Sequence, residues 1–288
     1  MKVHVVSAFT SNGNGGNIAG VVLLKEFPSD NQMQAVASQA GYSETAFVTV
    51  QNSNTQHIRF FAPTKEVSLC GHATIASYAW LKENGTIQAG MHTMICPAGP
   101  QKIRVSQDGN VAMSQNLPSF GPTLAADTII SSLGIEKSDI DPNLPLQVAS
   151  TGLNKIFVPL RSMEALYRIQ PNFTQIADVS IQHNAIGMYC YTTETRYQAT
   201  AHCRNFAPVV GILEDSATGT SAAALSTLLY HHRLLDRCGV NISNPILHCT
   251  YEQGYAINCP AELLVQLHHT PSQYTLQEVW VSGYAKRL

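Results

Sequence analysis

Hydrophobic positions along the chain follow two spacings, one typical of strands and one of helices. Apolar residues at alternate positions, or in unbroken runs of about 4–8 residues, predict strands. Apolar residues three and four positions apart predict helices. The predicted strands are 2–9, 18–24, 46–50, 58–61, 155–160, 185–191 and 277–284, with a hairpin over 101–113, and the predicted helices are 30–40, 75–83, 124–133 and 221–235.

Capping residues and turn formers set the expected ends of these elements. Asp30 is the expected N-cap of helix 30–40, and Gly41 is expected to end it. Asn84-Gly85 and Cys238-Gly239 are expected to end the helices that precede them. The segment 117–122 is rich in Pro and Gly and is expected to be a linker.

A short repeat divides the chain near its middle. His57-Ile58-Arg59-Phe60-Phe61-Ala62-Pro63 recurs as His202-Cys203-Arg204-Asn205-Phe206-Ala207-Pro208, with five of seven positions identical at an offset of 145. A glycine-containing loop and an apolar helix follow each copy, at 70–74 and at 215–221. This predicts two structurally similar halves with a cleft between them.

The same repeat suggests where chemistry takes place. Each half would point a helix N-terminus at the cleft, and helix N-termini offer backbone N–H groups and the positive end of the helix dipole. Such ends bind carboxylates and stabilise a developing oxyanion. A glycine at the start of the helix allows a ligand to approach the backbone closely.

Composition excludes several classes of protein. The 288 residues are 44% hydrophobic and 12% charged, and the formal net charge is -2. There is no basic run for duplex nucleic acid, no apolar stretch of about 18 residues for a membrane span, and no secretory signal core. We therefore expect a cytoplasmic protein, and the scarcity of charge favours a homodimer.

Cysteines and glycine motifs predict neither a metal site nor a cofactor. The seven cysteines include no C-x-x-C pair and are expected to be reduced thiols. The dinucleotide and phosphate-loop glycine patterns do not occur. The adjacent histidines at 231–232 and 268–269 cannot face one point from a helix.

Four motifs resemble those of one known family. They are Asn17 after a glycine loop, Ser43-Glu44-Thr45 with Phe47-Val48, Cys70-Gly71-His72-Ala73-Thr74, and Gly211 to Ala222 around Glu214-Asp215. In this order they are similar to G-N-P-x-A-V-V, S-E-T-x-F-V, C-G-H-A-T and G-x-x-E-D-P-A-T-G-S-A of the phenazine-biosynthesis PhzF-like family. The chain departs from the pattern at Ile18 and Ser216, where the family has Pro. Both departures affect loop rigidity and remove no reactive group.

The resemblance implies an α+β protein with the diaminopimelate epimerase fold. That fold has two pseudo-symmetric halves, each a mixed sheet wrapped around a central helix, with the active site in the cleft between them. The expected halves are residues 1–119 with 274–288, and residues 120–273. The implied activity is that of an isomerase acting on a small carboxylate-bearing metabolite.

The resemblance also assigns roles to individual residues. Glu44 matches the family's general acid/base, and the apolar neighbours of Glu44 predict the partial burial that suits proton transfer. His72 and Asp215 match residues that line the substrate pocket, where they would position substrate and stabilise enolate-like charge. The expected substrate-binding residues are Asn17, Ser43, Gly71, Gly219 and Thr220.

Two other functions remain open at this point. Epimerases of the same fold use two thiols, one from each half. Cys70 matches the first thiol, whereas the second would fall near Ser221, whose hydroxyl is too weak an acid for that role. A single base favours an allylic proton shift over an amino-acid epimerase or racemase. A catalytically silent binding or interaction protein is the remaining alternative.

Overall fold

The computed structural model describes residues 1–288. The first part of the chain contains, in order, β1 (His4–Ala8), β2 (Asn17–Leu24), α1 (Asp30–Ala40), β3 (Thr45–Asn52), β4 (Thr55–Phe61), β5 (Glu66–Val67), α2 (Gly71–Glu83), β6 (Gly90–Cys96), β7 (Gly99–Val105) and β8 (Val111–Gln115). The remainder contains β9 (Ser119–Thr123), α3 (Ile130–Leu133), β10 (Gln147–Ser150), β11 (Lys155–Pro159), α4 (Met163–Arg168), α5 (Phe173–Gln182), β12 (Met188–Thr192), β13 (Ala201–Ala207), β14 (Ile212–Asp215), α6 (Gly219–His231), β15 (Ile246–Gln253), β16 (Ala261–Thr270), β17 (Thr275–Gly283) and β18 (Ala285–Arg287).

Two compact units divide the chain, and the second is inserted into the first. The first unit comprises Met1–Ser114 and Ser282–Leu288, and the second comprises Gln115–Val281. The boundaries expected from the sequence, at residues 119 and 274, fall a few residues inside the second unit. The segment expected to be a linker is in fact β9, which pairs with β10 and therefore belongs to the second unit.

In the first unit the strands form one mixed sheet. Its order is β18-β1-β2-β3-β4-β6-β7-β8. The pairs β2–β3 and β4–β6 are parallel and the others are antiparallel, while the short β5 adds to β4. Helix α1 connects the parallel strands β2 and β3, as a parallel connection requires.

The second unit repeats this arrangement in seven strands, which correspond to the first sheet from β18 to β7. Its order is β9-β10-β11-β12-β13-β15-β16, with β11–β12 and β13–β15 parallel and the short β14 added to β13. Here α4 and α5 connect the parallel strands β11 and β12. The predicted division into two structurally similar halves is confirmed.

The repeated residues make the same contacts in both units. The guanidinium of Arg59 forms two hydrogen bonds with Glu66, at 2.7 and 2.6 Å, and lies over the ring of Phe61. The guanidinium of Arg204 does the same with Glu214, at 2.9 and 2.8 Å, and with the ring of Phe206. Bidentate pairing fixes the geometry of these charges as well as adding energy. Each pair ties the short strand before the central helix to its longer neighbour.

A central helix is buried in each unit. In α2 the side chains from Ala73 to Tyr78 are buried, together with Trp80 and Leu81. In α6 the residues from Ser221 to Tyr230 are buried. A helix that is apolar on all sides belongs in a core, and each large aliphatic side chain buried there contributes about 1.5–3 kcal/mol.

Several predicted ends of elements are wrong, for local reasons. The N-cap of α1 is Ser29, whose side chain forms a capping box with Gln32, so Asp30 is the first helical residue. Helix α2 begins at Gly71, four residues before the start that the apolar run predicted at residue 75. Helix α6 runs from Gly219 to His231, because Arg233 has a positive φ of 57° that no helix accommodates.

Gly41 ends α1 in the left-handed conformation, as predicted. The strand expected at 185–191 begins only at Met188, and the helix expected at 124–133 is reduced to a 3₁₀ turn and the short α3. None of the helices is long and apolar enough to cross a membrane.

Candidate active site

Glu44 lies directly before β3 in the first unit. Its backbone carbonyl accepts a hydrogen bond from the N–H of Gly20 at 3.0 Å, which fixes the residue at the end of the parallel β2–β3 pair. The side chain is 13% exposed, and its Oε2 is fully buried without a hydrogen-bond partner. Buried polar atoms are nearly always paired, so an unpaired carboxylate oxygen marks a site rather than a surface turn.

His72 lies in the first turn of α2 and faces Glu44. Its Nε2 is 3.3 Å from Oε2 of Glu44 and 3.2 Å from Oγ of Ser43. Its Nδ1 is 3.4 Å from Sγ of Cys70. The imidazole is 10% exposed. It contacts a carboxylate, a hydroxyl and a thiol, and these groups form one cluster.

The N-terminus of α2 adds backbone donors beside this cluster. Cys70 is the N-cap residue, and its side chain makes no capping hydrogen bond. The Cβ position of Gly71 has no atom within 4 Å, so there is room for a ligand at the first helical residue. Ser43 donates to the carbonyl of Ile18 at 3.5 Å, which brings the start of β2, where Asn17 lies, to the edge of the cluster. Asn17 itself is buried.

In the first unit the structure therefore brings together most of the predicted residues. Ser43, Glu44, Gly71 and His72 lie in one cluster, with Asn17 at its border. Cys70 belongs to the same cluster. One ligand atom each of Glu44, Cys70 and His72 lies within 4.8 Å of the others.

Asp215 occupies the end of β14 in the second unit. Its Oδ2 accepts a hydrogen bond of 2.5 Å from the hydroxyl of Thr218, the N-cap residue of α6. That hydroxyl also accepts hydrogen bonds from the amides of Asn205 and Gln253, at 2.8 and 3.1 Å. Gly219 and Thr220 follow as the first residues of α6. The carboxylate of Asp215 thus holds the loop that begins the helix.

The repeat identifies which residues correspond between the units. Four residues after Glu66 comes Cys70, and four residues after Glu214 comes Thr218, each the N-cap of its central helix. The position expected to hold the second thiol is therefore Thr218, and the assignment of Ser221 was wrong by three residues. The hydroxyl oxygen of Thr218 already accepts hydrogen bonds from two side-chain amides, so neither of its lone pairs is open to take a proton from carbon.

Glu44 has no counterpart with a side chain. The backbone bond from Gly20 N–H to the Glu44 carbonyl corresponds to the bond from Ile156 N–H to the Gly187 carbonyl, which is 3.0 Å long. A Cβ built on Gly187 would lie 1.9 Å from the carbonyl oxygen of Phe206. No side chain fits there, so the position in the second unit that corresponds to Glu44 has no titratable group.

Sequence reasoning missed Lys155, the first residue of β11. Its side chain is 2% exposed, and its Nζ donates to the carbonyl of Phe206 at 3.2 Å. Burial lowers the pKa of Lys155 to about 7, while the charge of Asp215 opposes that shift. A lysine at the start of a strand gives no sequence signal of burial, since such positions are mostly exposed.

Comparison with known proteins supports this fold and identifies a family. Residues 6–287 match the family described as phenazine biosynthesis-like protein. The chain is 32% identical over 291 residues to Uncharacterized isomerase YddE of Escherichia coli (strain K12), covering 99% of this chain and 95% of that protein. It is 34% identical over 238 residues to Uncharacterized isomerase YfhB of Bacillus subtilis (strain 168), covering 80% and 81%.

Solved structures show the same architecture. The PhzF-family phenazine biosynthesis protein of Bacillus anthracis superposes with a TM-score of 0.87 at 26% identity, covering 100% of this chain and 98% of that one. A hydroxyproline epimerase from Agrobacterium vitis superposes with a TM-score of 0.61 at 12% identity, covering 99% and 90%, which shows a shared fold. The fold and the relatives define an isomerase of the epimerase-like α+β class. Within that class, the chain belongs to the phenazine biosynthesis-like protein family.

Proposed function

We propose that this protein is a cofactor-independent isomerase that moves a proton between two carbon atoms of a small carboxylate-bearing substrate. Glu44 is its single general acid/base. One observation carries the proposal: the buried Oε2 of Glu44 has no hydrogen-bond partner and lies 3.3 Å from Nε2 of His72. A carboxylate oxygen that is withdrawn from water and makes no hydrogen bond is free to accept a proton from carbon.

The reaction needs two proton transfers and no net change in atoms. In the first, the carboxylate of Glu44 removes a proton from carbon, and the electron pair of the C–H bond passes into an enolate-like system. In the second, the protonated Glu44 gives a proton to a different carbon of that system. Exchange of the carboxyl proton with solvent between the two transfers carries a solvent hydrogen into the product. The double bond shifts, and Glu44 is again a carboxylate.

The surroundings of Glu44 support the charged intermediate. His72 lies beside the carboxylate and can donate a hydrogen bond to a substrate oxygen. The backbone N–H groups at Gly71, together with the positive end of the α2 dipole, favour a substrate carboxylate or an enolate oxygen. In the proposed site, Ser43 and Asn17 supply the remaining polar side chains of this pocket.

Asp215, Gly219 and Thr220 form the second element of the proposal. A carboxylate that holds the start of α6 in place keeps the backbone donors of that helix preorganised for an anion. Asp215→Asn should then weaken turnover of the same substrate on which Glu44 acts. Unchanged kinetics in that variant would limit the site to residues of the first unit.

A single base limits the stereochemistry. Glu44 returns the proton from the side on which it was removed, and the second unit has glycine at the corresponding position. Epimerisation needs a second group on the opposite face of the substrate. The arrangement therefore favours an allylic shift over a racemase.

Exchange of carbon-bound protons with solvent tests the proposal. We would incubate the protein in D2O with a panel of small unsaturated, α-hydroxy and α-amino carboxylates and follow deuterium incorporation by NMR. For any compound that exchanges, Glu44→Gln should reduce the rate by about 10²–10⁴-fold, because glutamine keeps the size and polarity but cannot carry the proton. Binding of the same compound should change little.

Glu83→Gln is the matched control, since Glu83 is exposed at the far end of α2. Cys70→Ser should retain most of the exchange activity, because the thiol has no part in the two transfers. Exchange at the wild-type rate in Glu44→Gln would remove Glu44 from the mechanism. Binding without exchange across the panel would favour a catalytically silent binding protein.

A further inference from the structure

The cluster around Glu44 also has the composition of a transition-metal site. Its three potential ligand groups are a carboxylate, a thiol and an imidazole, from Glu44, Cys70 and His72. This combination of ligands was invisible in the sequence, because Glu44 lies far along the chain from the other two and no paired-ligand motif is present. The fold brings the groups together by placing the end of the β2–β3 pair beside the start of α2.

We propose that Glu44, Cys70 and His72 bind a Zn²⁺ ion reversibly, and that the bound ion blocks the site. The inhibition by zinc rests on the proposed function of Glu44, whereas the binding of zinc does not. The ion would occupy the Oε2 electron pair that otherwise accepts the proton. Zinc binding and proton transfer are therefore mutually exclusive.

The distance between the imidazole and the carboxylate suits a tetrahedral ion. Zn–S bonds of about 2.3 Å and Zn–N or Zn–O bonds of about 2.0–2.1 Å place neighbouring ligand atoms about 3.3–3.6 Å apart. Nε2 of His72 is 3.3 Å from Oε2 of Glu44 and 3.9 Å from Sγ of Cys70. The thiol lies nearer to Nδ1, at 3.4 Å, so the Cys70 side chain must rotate towards Nε2 before all three groups reach one ion. The fourth position remains open to water or to a ligand carboxylate.

Charge and ligand type determine which metal would bind. A thiolate and a carboxylate together balance the two positive charges of the ion, and a thiolate ligand selects Zn²⁺ over Mg²⁺ or Ca²⁺. The positive end of the α2 dipole opposes a cation at this position. We therefore expect a reversible inhibitory site rather than a permanent structural one.

Direct binding is the first test, and it does not require a substrate. Zn²⁺ would be titrated into wild type and Cys70→Ser against a chromophoric chelator, and Co²⁺ would be added separately as a spectroscopic probe. We expect Cys70→Ser to lose one equivalent of tight zinc binding and the thiolate-to-cobalt charge-transfer band. Loss of an outer-shell partner alone weakens metal binding about 10–100-fold, so loss of a ligand should weaken it at least as much.

Cys259→Ser is the matched control, because Cys259 is a partly exposed cysteine outside any disulfide and lies in the second unit. It should bind zinc and cobalt as the wild type does. Glu44→Gln is the second test variant and should also weaken binding, which keeps the proposal testable if Cys70→Ser fails to fold. Equal binding by wild type, Cys70→Ser and Glu44→Gln would overturn the proposal.

Inhibition is the second test and separates the two proposals. With any compound that exchanges, Zn²⁺ should inhibit the wild type and a chelator should restore its activity, while Cys70→Ser should remain active and resist zinc. Exchange that zinc does not affect would overturn the inhibitory site and leave the isomerase proposal intact. Zinc binding at Cys70 in a protein without exchange would refute the isomerase proposal and leave the metal site standing.

Discussion

Lys155 provides the sharpest test of the energetics of the second unit. Its ammonium group is 2% exposed and has one hydrogen bond, to the carbonyl of Phe206. Burial lowers its pKa from 10.5 to about 7, although the neighbouring charge of Asp215 favours the protonated form. Lys155→Met removes the charge and keeps a side chain of similar length. We expect it to remove a pH-dependent cost of folding.

The sign and size of that cost follow from proton linkage. The unfolded chain keeps Lys155 protonated up to about pH 10, so between pH 7 and pH 10 it binds more protons than the folded state, and stability rises with pH. The slope approaches about 1.4 kcal/mol per pH unit. From pH 7 to pH 9 the wild type should gain on the order of 2 kcal/mol from this residue.

Urea unfolding at pH 7, 8 and 9 in the presence of a reductant measures this effect. The free energy of unfolding of Lys155→Met minus that of the wild type should fall by on the order of 2 kcal/mol over this range. Taking the difference cancels Cys203 and Cys249, whose raised pKa values are common to both proteins. Burial raises the pKa of Cys190 to about 12 although Lys155 opposes that shift, so its thiol stays protonated over this range in both proteins. Lys137→Met is the control, since Lys137 is an exposed lysine paired with Asp127, and its difference should stay flat. A flat difference for Lys155→Met would refute the reasoning.

Three further predictions concern stability and assembly. Gly187→Ala should destabilise the second unit by at least about 1–3 kcal/mol in urea unfolding, because its Cβ would overlap the carbonyl of Phe206, and an unchanged midpoint would contradict this. Burial alone would raise the pKa of Glu252, but hydrogen bonds from His202 and two backbone N–H groups hold it below its ordinary value. Stability should therefore fall as the pH drops through the range in which carboxyl groups titrate. When unfolding is measured between pH 3 and pH 6, Glu252→Gln should show a smaller fall than the wild type. The same slope in both proteins would contradict this. We also propose a homodimer, since only 12% of residues are charged; sedimentation as a monomer at micromolar concentration would contradict it.

Hydrophobic periodicity predicted most of the helices and strands of this fold. Where it placed their ends wrongly, local backbone conformation had set them. Gly41 and the apolar run of β3, which follows Glu44, left clear signals. The start of α2 left none, because its N-cap is Cys70, whose side chain does not cap. Pro118 and Gly121 suggested a linker, yet the segment is β9, which pairs with β10. Pro is tolerated at strand starts and edges, so composition alone could not decide.

The candidate site was predicted unevenly, for a physical reason. Motif resemblance located Glu44 and His72, and the structure places them 3.3 Å apart. The correspondence of Thr218, and not Ser221, with Cys70 followed only from the observed starts of α2 and α6. No local pattern could reveal that Lys155 is buried, because its burial depends on the pairing of distant strands. Register, rather than residue type, carries that information.

The two units share the same scaffold but differ in the side chains that could take part in proton transfer. Both units keep the bidentate arginine pair and the buried central helix, which are the features that the fold needs. Only the first unit has an ionisable group before its third strand, since Gly187 takes that place in the second, against the backbone of β13. Only the first unit has a thiol at the N-cap, and the corresponding hydroxyl of Thr218 is committed to Asp215. A two-base mechanism would need one of these groups in the second unit, so the absence of both favours the proposed proton transfer by Glu44 alone.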